Sequence, residues 1–253
     1  MPKPVTMFAG DIYYNKYGYK IEVLEYVDAS KVLIKFHDPI EYEKYSAARE
    51  IRNGVVNTPY HRSVQGVGYL GEGPHKAYIT GKKYSTEYKI WVDMLTRTYT
   101  NVKGIAYECA RVCEDWHNFQ NFAGWCKNQK FFGLVDYELD KDIIVRGNNL
   151  YSPEYCTFVP GFINRLVINR SNYRGKFKIG VFLNLNAKKK YTSSISIEGK
   201  RVQLGTFYDE REAYLAYKSA KEDHIKTVAQ ENKDKISEEV YNSLMRWEIN
   251  END

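Results

Sequence analysis

Asp140 and Asp142 stand two residues apart in the stretch 136–164, DYELDKDIIVRGNNLYSPEYCTFVPGFIN. Alternate residues of a β-strand point to one face, so the two carboxylates could converge on one metal ion or one water. Asn164, at the end of the stretch, adds a polar side chain. The same spacing also describes a hairpin with a solvated acidic edge, and these residues alone do not separate the two. Among the five histidines, His117 sits beside Trp116 and is a candidate base, while His37, His61, His75 and His224 are scattered.

The carboxylates need a frame, and the surrounding pattern predicts one. A hairpin is expected from Leu139 to Val159, turning at Arg146, Gly147, Asn148 and Asn149, with Pro153 and Pro160 bracketing the second strand. A short helix after Pro160 would carry Asn164, giving a ββα unit. Upstream, Tyr88, Trp91, Met94, Leu95 and Tyr99 fall on one helical face behind Ser85 as N-cap. EDWHNFQNFAGWCKNQ predicts a second helix with a stripe of Trp116, Phe119, Ala123 and Cys126, read as core. Residues 10–70 read as short strands, with KVLIKFHD alternating apolar and charged residues, and predict a small barrel.

At 253 residues, 43% of them hydrophobic, the chain is long enough for two or three small domains. No run of about 18 apolar residues is present, and MPKPVTMFAGDIYY lacks a signal-peptide core, so no membrane contact and a cytoplasmic location are expected. The four cysteines, at 109, 113, 126 and 156, make neither a paired Cys-x-x-Cys pattern nor a dense disulfide framework. The net charge of +5 is unevenly spread: residues 166–208 hold nine Lys and Arg against one Asp or Glu. That block is the footprint of a phosphate-binding surface.

Residues 85–165 resemble the HNH nucleases of phages and mobile introns, including homing endonucleases. The resemblance rests on WVDMLTRTY at 91–99, V-x-x-x-W-x-x-F at 112–119, Phe122, Trp125, LDKD at 139–142 and YSPEYC followed by Asn164. It implies metal-dependent hydrolysis of DNA phosphodiester bonds, with Asp140, Asp142 and Asn164 as catalytic residues and ligands of one divalent cation such as Mg2+. Asp140 stands where the family has its histidine base, and Tyr155 where it has its middle asparagine.

Residues 175–228 resemble the Apetala-type, ethylene-response-factor-like DNA-binding domain. The segments are GV at 180–181, KYTSSI at 190–195, RVQLGTF at 201–207 and EAYLAYKSA at 212–220. The residues predict two strands joined by EGK with Gly199 at positive φ. A helix follows, opened by Asp209 and Glu212, with Ala213, Ala216, Tyr217 and Ala220 on its inner face. The resemblance assigns double-stranded DNA contacts to Lys188, Lys189, Lys190, Tyr191, Ser194, Ser196, Arg201 and Gln203. The plant family typically has tryptophan, glutamate and arginine at the positions of Tyr191, Ser194, Ser196 and Gln203, so a different target sequence is expected. The last amphipathic stretch, SEEVYNSLMRW, places Val240, Leu244 and Trp247 against the domain or a second copy.

The expectation is an α+β, multi-domain chain. It comprises a small β-barrel (1–75), an HNH-like ββα-metal domain with two preceding helices (76–168), an Apetala-type sheet and helix (169–230) and a C-terminal helix (231–253). The expected function is a sequence-preferring, phage-encoded DNA endonuclease acting in the bacterial cytoplasm. The alternative is a catalytically decayed HNH-fold DNA-binding protein that regulates or inhibits a host factor. A host protein partner of the N-terminal barrel is a third reading.

Overall fold

The computed structural model describes residues 7–81, 83–100, 109–167, 176–185, 188 and 190–251, and it is mixed α+β. The chain forms two compact units, Met1–Cys126 and Lys127–Asp253. The division falls inside the segment 76–168 that the motifs suggest as one domain. Among the described residues no helix is long and apolar enough to cross a membrane.

The first unit opens with β1 (Ile12–Tyr14), β2 (Lys20–Asp28), β3 (Lys31–Phe36) and β4 (Tyr42–Ser46), paired antiparallel in that order. Alternation sends Ile21, Val23, Val32, Ile34 and Phe36 to one buried face. Helix α1 (Ala48–Arg52) adds Ala48 and Ile51 to that core. Among the described residues β1 and β4 remain the edges of an open sheet, which corrects the expected barrel. Period-two alternation fixes which face is buried, but not whether the outer strands meet.

A short hairpin of β5 (Tyr78–Thr80) and β6 (Lys83–Tyr84) leads into α2 (Thr86–Tyr99), where Ser85 Oγ accepts the Tyr88 N–H at 3.2 Å. Trp91, Met94 and Leu95 form the buried stripe of α2, and Trp91 Nε1 donates to Trp116 O at 2.7 Å. Gly68 lies so close to this helix that a Cβ there would come within 2.5 Å of Leu95. After β7 (Arg111–Val112), the expected second helix is interrupted. A 3-10 turn over Glu114–His117 ends at Asn118, whose backbone is extended, before α3 (Phe119–Lys127) begins. Asn118 Oδ1 accepts the Gln120 N–H at 3.0 Å, so this residue restarts the helix.

The second unit contains β8 (Tyr137–Asp140), β9 (Leu150–Tyr151), β10 (Thr157–Pro160) and α4 (Gly161–Val167). Strands β8 and β10 pair antiparallel, Asp140 opposite Thr157 and Tyr137 opposite Pro160. Then come β11 (Val181–Leu183), β12 (Tyr191–Ile197), β13 (Lys200–Phe207) and α5 (Glu210–Glu231), and finally α6 (Glu238–Met245). The sheet order is β11-β12-β13, antiparallel throughout. Glu198 and Gly199, at φ of 50° and 76°, make the tight turn that the EGK sequence calls for.

One buried cluster joins these pieces. Ile143, Val159 and Ile163 of the ββα unit, Val181 and Ile195 of the sheet, Ala213, Tyr217 and Ile225 of α5, and Val240 and Leu244 of α6 all belong to it. Asp209 Oδ1 caps α5 by accepting from Arg211 N at 2.8 Å and Glu212 N at 3.2 Å. Gly180 has φ of 76°, and a Cβ there would come within 2.0 Å of the Tyr217 ring. The GV pair at 180–181 therefore reflects a close approach of strand and helix. Trp247, just past α6, is buried in the same cluster, so the C-terminal stretch packs on its own unit.

Candidate nucleic-acid interface and hairpin site

Strand β8 ends at Asp140, and Asp142 lies in the bend beyond it. The same-face pair of the strand is therefore Glu138 and Asp140, which corrects the pairing of Asp140 with Asp142. Asp140 itself ends the strand: its Oδ1 accepts the N–H groups of Asp142 at 2.8 Å and Ile143 at 2.7 Å. This is the local side-chain-to-backbone bonding by which aspartate closes turns. Burial pushes the Asp140 carboxyl above its ordinary range, with the neighbouring Asp142 charge adding to the rise and the two N–H bonds opposing it.

Lys141 is buried and turns across the loop, donating to Asp142 Oδ1 at 2.6 Å and to Asn148 O at 3.0 Å. Asn148 completes the stitch, its Nδ2 donating to Lys141 O at 2.8 Å and Leu150 O at 2.7 Å. Asn164, on α4, donates through Nδ2 to Glu138 Oε2 at 2.8 Å. Arg165 approaches the other Glu138 oxygen at 3.6 Å. Glu138 is thus the carboxylate that the hairpin sets against Asn164, and strand alternation was the signal for it.

No three of the described His, Cys, Asp and Glu side chains group to hold a metal ion. The fit to a divalent cation is poor on a direct observation: one oxygen of Asp140 is held by backbone N–H groups and one of Asp142 by an ammonium. Tyr155 is exposed, in the turn after Ser152 whose carbonyl accepts the Tyr155 and Cys156 N–H groups. His117 belongs to the first unit, where its Nε2 and Tyr99 OH are 2.9 Å apart. Burial, with the Arg62 charge, holds its pKa below the usual histidine value.

On the C-terminal sheet the register separates the two faces. Val181, Tyr191, Ile195, Ile197, Leu204 and Phe207 turn to α5 and the core. Tyr191 meets Phe177 edge-on at 6.0 Å between ring centroids, so it stands on the inner face and not among the outward side chains, contrary to its expected role. The outward positions are Phe182, Thr192, Ser194, Ser196, Arg201, Gln203 and Thr206, with Ser194 opposite Gln203 and Ser196 opposite Arg201. Ser194 is nonetheless buried, covered by its neighbours, and is not a surface contact, contrary to its expected role. A register shift between Ser193 and Ser194 is accommodated at Leu204 and Gly205, keeping both halves of β13 in phase with the core.

Arg201 is held from two sides. Its Nε donates to Ser194 Oγ at 2.8 Å, and its guanidinium carbon lies 4.1 Å from the Phe182 ring centroid. Phe182 is nearly half exposed, and sequence reading did not single it out; its place beside the buried Val181 marks it as outward. Lys188 and Lys190 are exposed in the β11–β12 connection, whose neck is closed by Asn184 N donating to Lys190 O at 2.7 Å. Lys189 lies outside the described residues. The three strands contain no acidic residue.

Compared with protein-family models, curated proteins and solved structures, the chain matches none.

Proposed function

We propose that the chain is a sequence-preferring double-stranded DNA-binding protein that docks through the outer face of β11-β12-β13. The carrying observation is the arrangement around Arg201, a guanidinium braced by Ser194 and Phe182 on a face whose strands hold no carboxylate. A planar guanidinium held in one orientation suits the paired acceptors of guanine in a major groove. Ser196 and Gln203 supply neutral hydrogen-bonding groups on the same face, and Lys188 and Lys190 suit backbone phosphates. The test is selection of bound duplexes from a random pool. A shared motif should emerge with the unaltered chain, and its preferred bases should change with Gln203→Ala or Arg201→Ala. A pool bound without enrichment refutes sequence preference.

The hairpin then functions as a nuclease-like ββα unit without a preformed metal centre, the decayed member of the two expected readings. The hydrogen bonds at Asp140 and Asp142 favour it, because they tie both carboxylates to the loop. A second reading, an active endonuclease, is favoured by the burial of Asp140, since a carboxyl shifted upward is a better proton acceptor near neutrality. Supercoiled plasmid incubated with magnesium or manganese separates them. An intact plasmid at every protein level supports the first. Nicking that vanishes in Asp140→Asn while DNA affinity persists supports the second. A regulatory target, or a host partner of the N-terminal sheet, remains part of the same proposal and is tested by capture on residues 1–126.

A further inference from the structure

We infer that a cleft between the hairpin loop and the C-terminal segment is a second phosphate-binding site, holding the DNA backbone beside the hairpin. This rests on the DNA-binding reading above. The cleft has a volume of about 360 Å³ and a floor of Ile143 and Ile144, directly after Asp142 in the chain. Two arginines from distant parts of the sequence line it, Arg146 from the hairpin loop and Arg246 from the end of α6.

Both guanidiniums are anchored by the fold. Arg146 lies over the Trp247 ring at 5.2 Å and donates through Nη1 to Glu248 O. Arg246 donates through Nε to Asn242 O at 3.1 Å, while its side chain is exposed. Ser243 Oγ donates to Ile144 O at 3.2 Å, which ties α6 to the loop and fixes the separation of the walls. An anchored, weakly hydrated guanidinium loses little freedom on binding an anion and can present two N–H groups to a phosphate.

Among the described residues that line the cleft, the carboxylate of Glu248 stands beside the two arginines. Lys218 pairs with Glu222 at 2.8 Å and donates to Ile249 O at 2.7 Å, which fixes the C-terminal segment next to Glu248. Trp247 is only 8% exposed, so its face is unavailable for stacking on a base, and its role is to hold Arg146. An anion recognised without base contact is the chemistry of a phosphodiester. A contact there would strengthen binding equally for all sequences.

The test uses the full chain and a short duplex. In 15N correlation spectra, the Arg146 Nε–H and Trp247 Nε1–H signals should shift on titration with duplex. Arg246→Gln should reduce the slope of log K against log salt by about 0.9, with the enriched sequence unchanged. Lys76→Glu, on the exposed surface of the first unit, is the charge-changing control. If duplex binds, yet those two signals stay still and Arg246→Gln keeps the unaltered slope, the cleft proposal is overturned and the sheet reading stands. If the unaltered chain binds no duplex at low salt, the DNA-binding reading itself falls, and the cleft with it.

Discussion

In the hairpin, Asp140 accepts two backbone N–H groups, Lys141 bridges Asp142 to Asn148, and Asn164 is bonded to Glu138. On the sheet a few strands away in the chain, Ser194, Ser196, Arg201 and Gln203 stand outward in register, with Arg201 braced but presented. Both regions lie in one unit and bury their apolar residues in one cluster. The difference is in what their polar groups satisfy. The hairpin's long β8–β10 connection leaves backbone groups without ladder partners, and its Asp and Asn side chains supply them. The sheet's backbone groups pair with one another, so the exposed side chains of Ser196, Arg201 and Gln203 remain available to a ligand, while the buried Ser194 serves to hold Arg201.

The strongest challenge to that comparison is whether the two regions are one cooperative body. Leu244 is fully buried where α6 meets the cluster, and Leu244→Ala should cost about 2–5 kcal/mol. Hydrogen exchange should then accelerate in β8, β10, β12 and β13 together. Loss confined to either the hairpin or the sheet would show that they are separate bodies.

Next in size is the hairpin's own use of its carboxylate. Asp140→Ala removes the acceptor of two N–H groups and should cost about 1–3 kcal/mol in a denaturant melt. Asp140→Asn keeps an acceptor oxygen and should cost far less. The pH dependence carries a definite sign. Because the folded carboxyl titrates above its ordinary value of 3.8, the native state holds its proton longer than the unfolded chain. Wild-type stability relative to Asp140→Asn should therefore fall as pH rises from 3.8 to the folded pKa, and be flat on either side. A difference that rises over that window would contradict the burial of this group.

The sheet makes the complementary prediction. Arg201→Ala should weaken duplex binding by about 1–3 kcal/mol while leaving the melting temperature nearly unchanged, because its partners Ser194 and Phe182 keep their strand positions. Equal losses in stability and binding would make Arg201 architectural, like Asp140. The smallest effect is expected on the inner face. Ser193 Oγ is fully buried with no hydrogen-bond partner among the described residues, so Ser193→Ala should stabilise the unit by about 1 kcal/mol and leave DNA binding alone.

Much of the local structure was legible. Ser85 and Asp209 announce their helices, the alternation of KVLIKF marks β3, and Glu198–Gly199 marks the β12–β13 turn. Each signal lies within a few residues of what it specifies. The misread features depend on partners farther away or on competing local bonds. Asp142 fell off the strand face because Asp140 closes the turn first, and α3 starts late because Asn118 caps it anew. Ile143, Ile195 and Leu244 share a core across a hundred residues of chain, which no window of local periodicity contains. The charge of residues 166–208 drew a boundary where the apolar residues draw none. For Tyr191, strand alternation did carry the answer, since two residues on, Ser193, and four on, Ile195, share its inward face.

The central claim is that the outer face of the C-terminal sheet, with its flanking lysines, meets the DNA. Its most direct measurement is fluorescence anisotropy of a labelled duplex across a salt series, with the unaltered chain and with a variant in which Lys188, Lys189, Lys190 and Arg201 are all changed to Gln. Phosphate contacts from the three lysines predict that the substitutions flatten the log K against log salt slope by about 2.7, and loss of the Arg201 base contact lowers affinity further. Identical slopes and affinities for the two proteins would contradict the account.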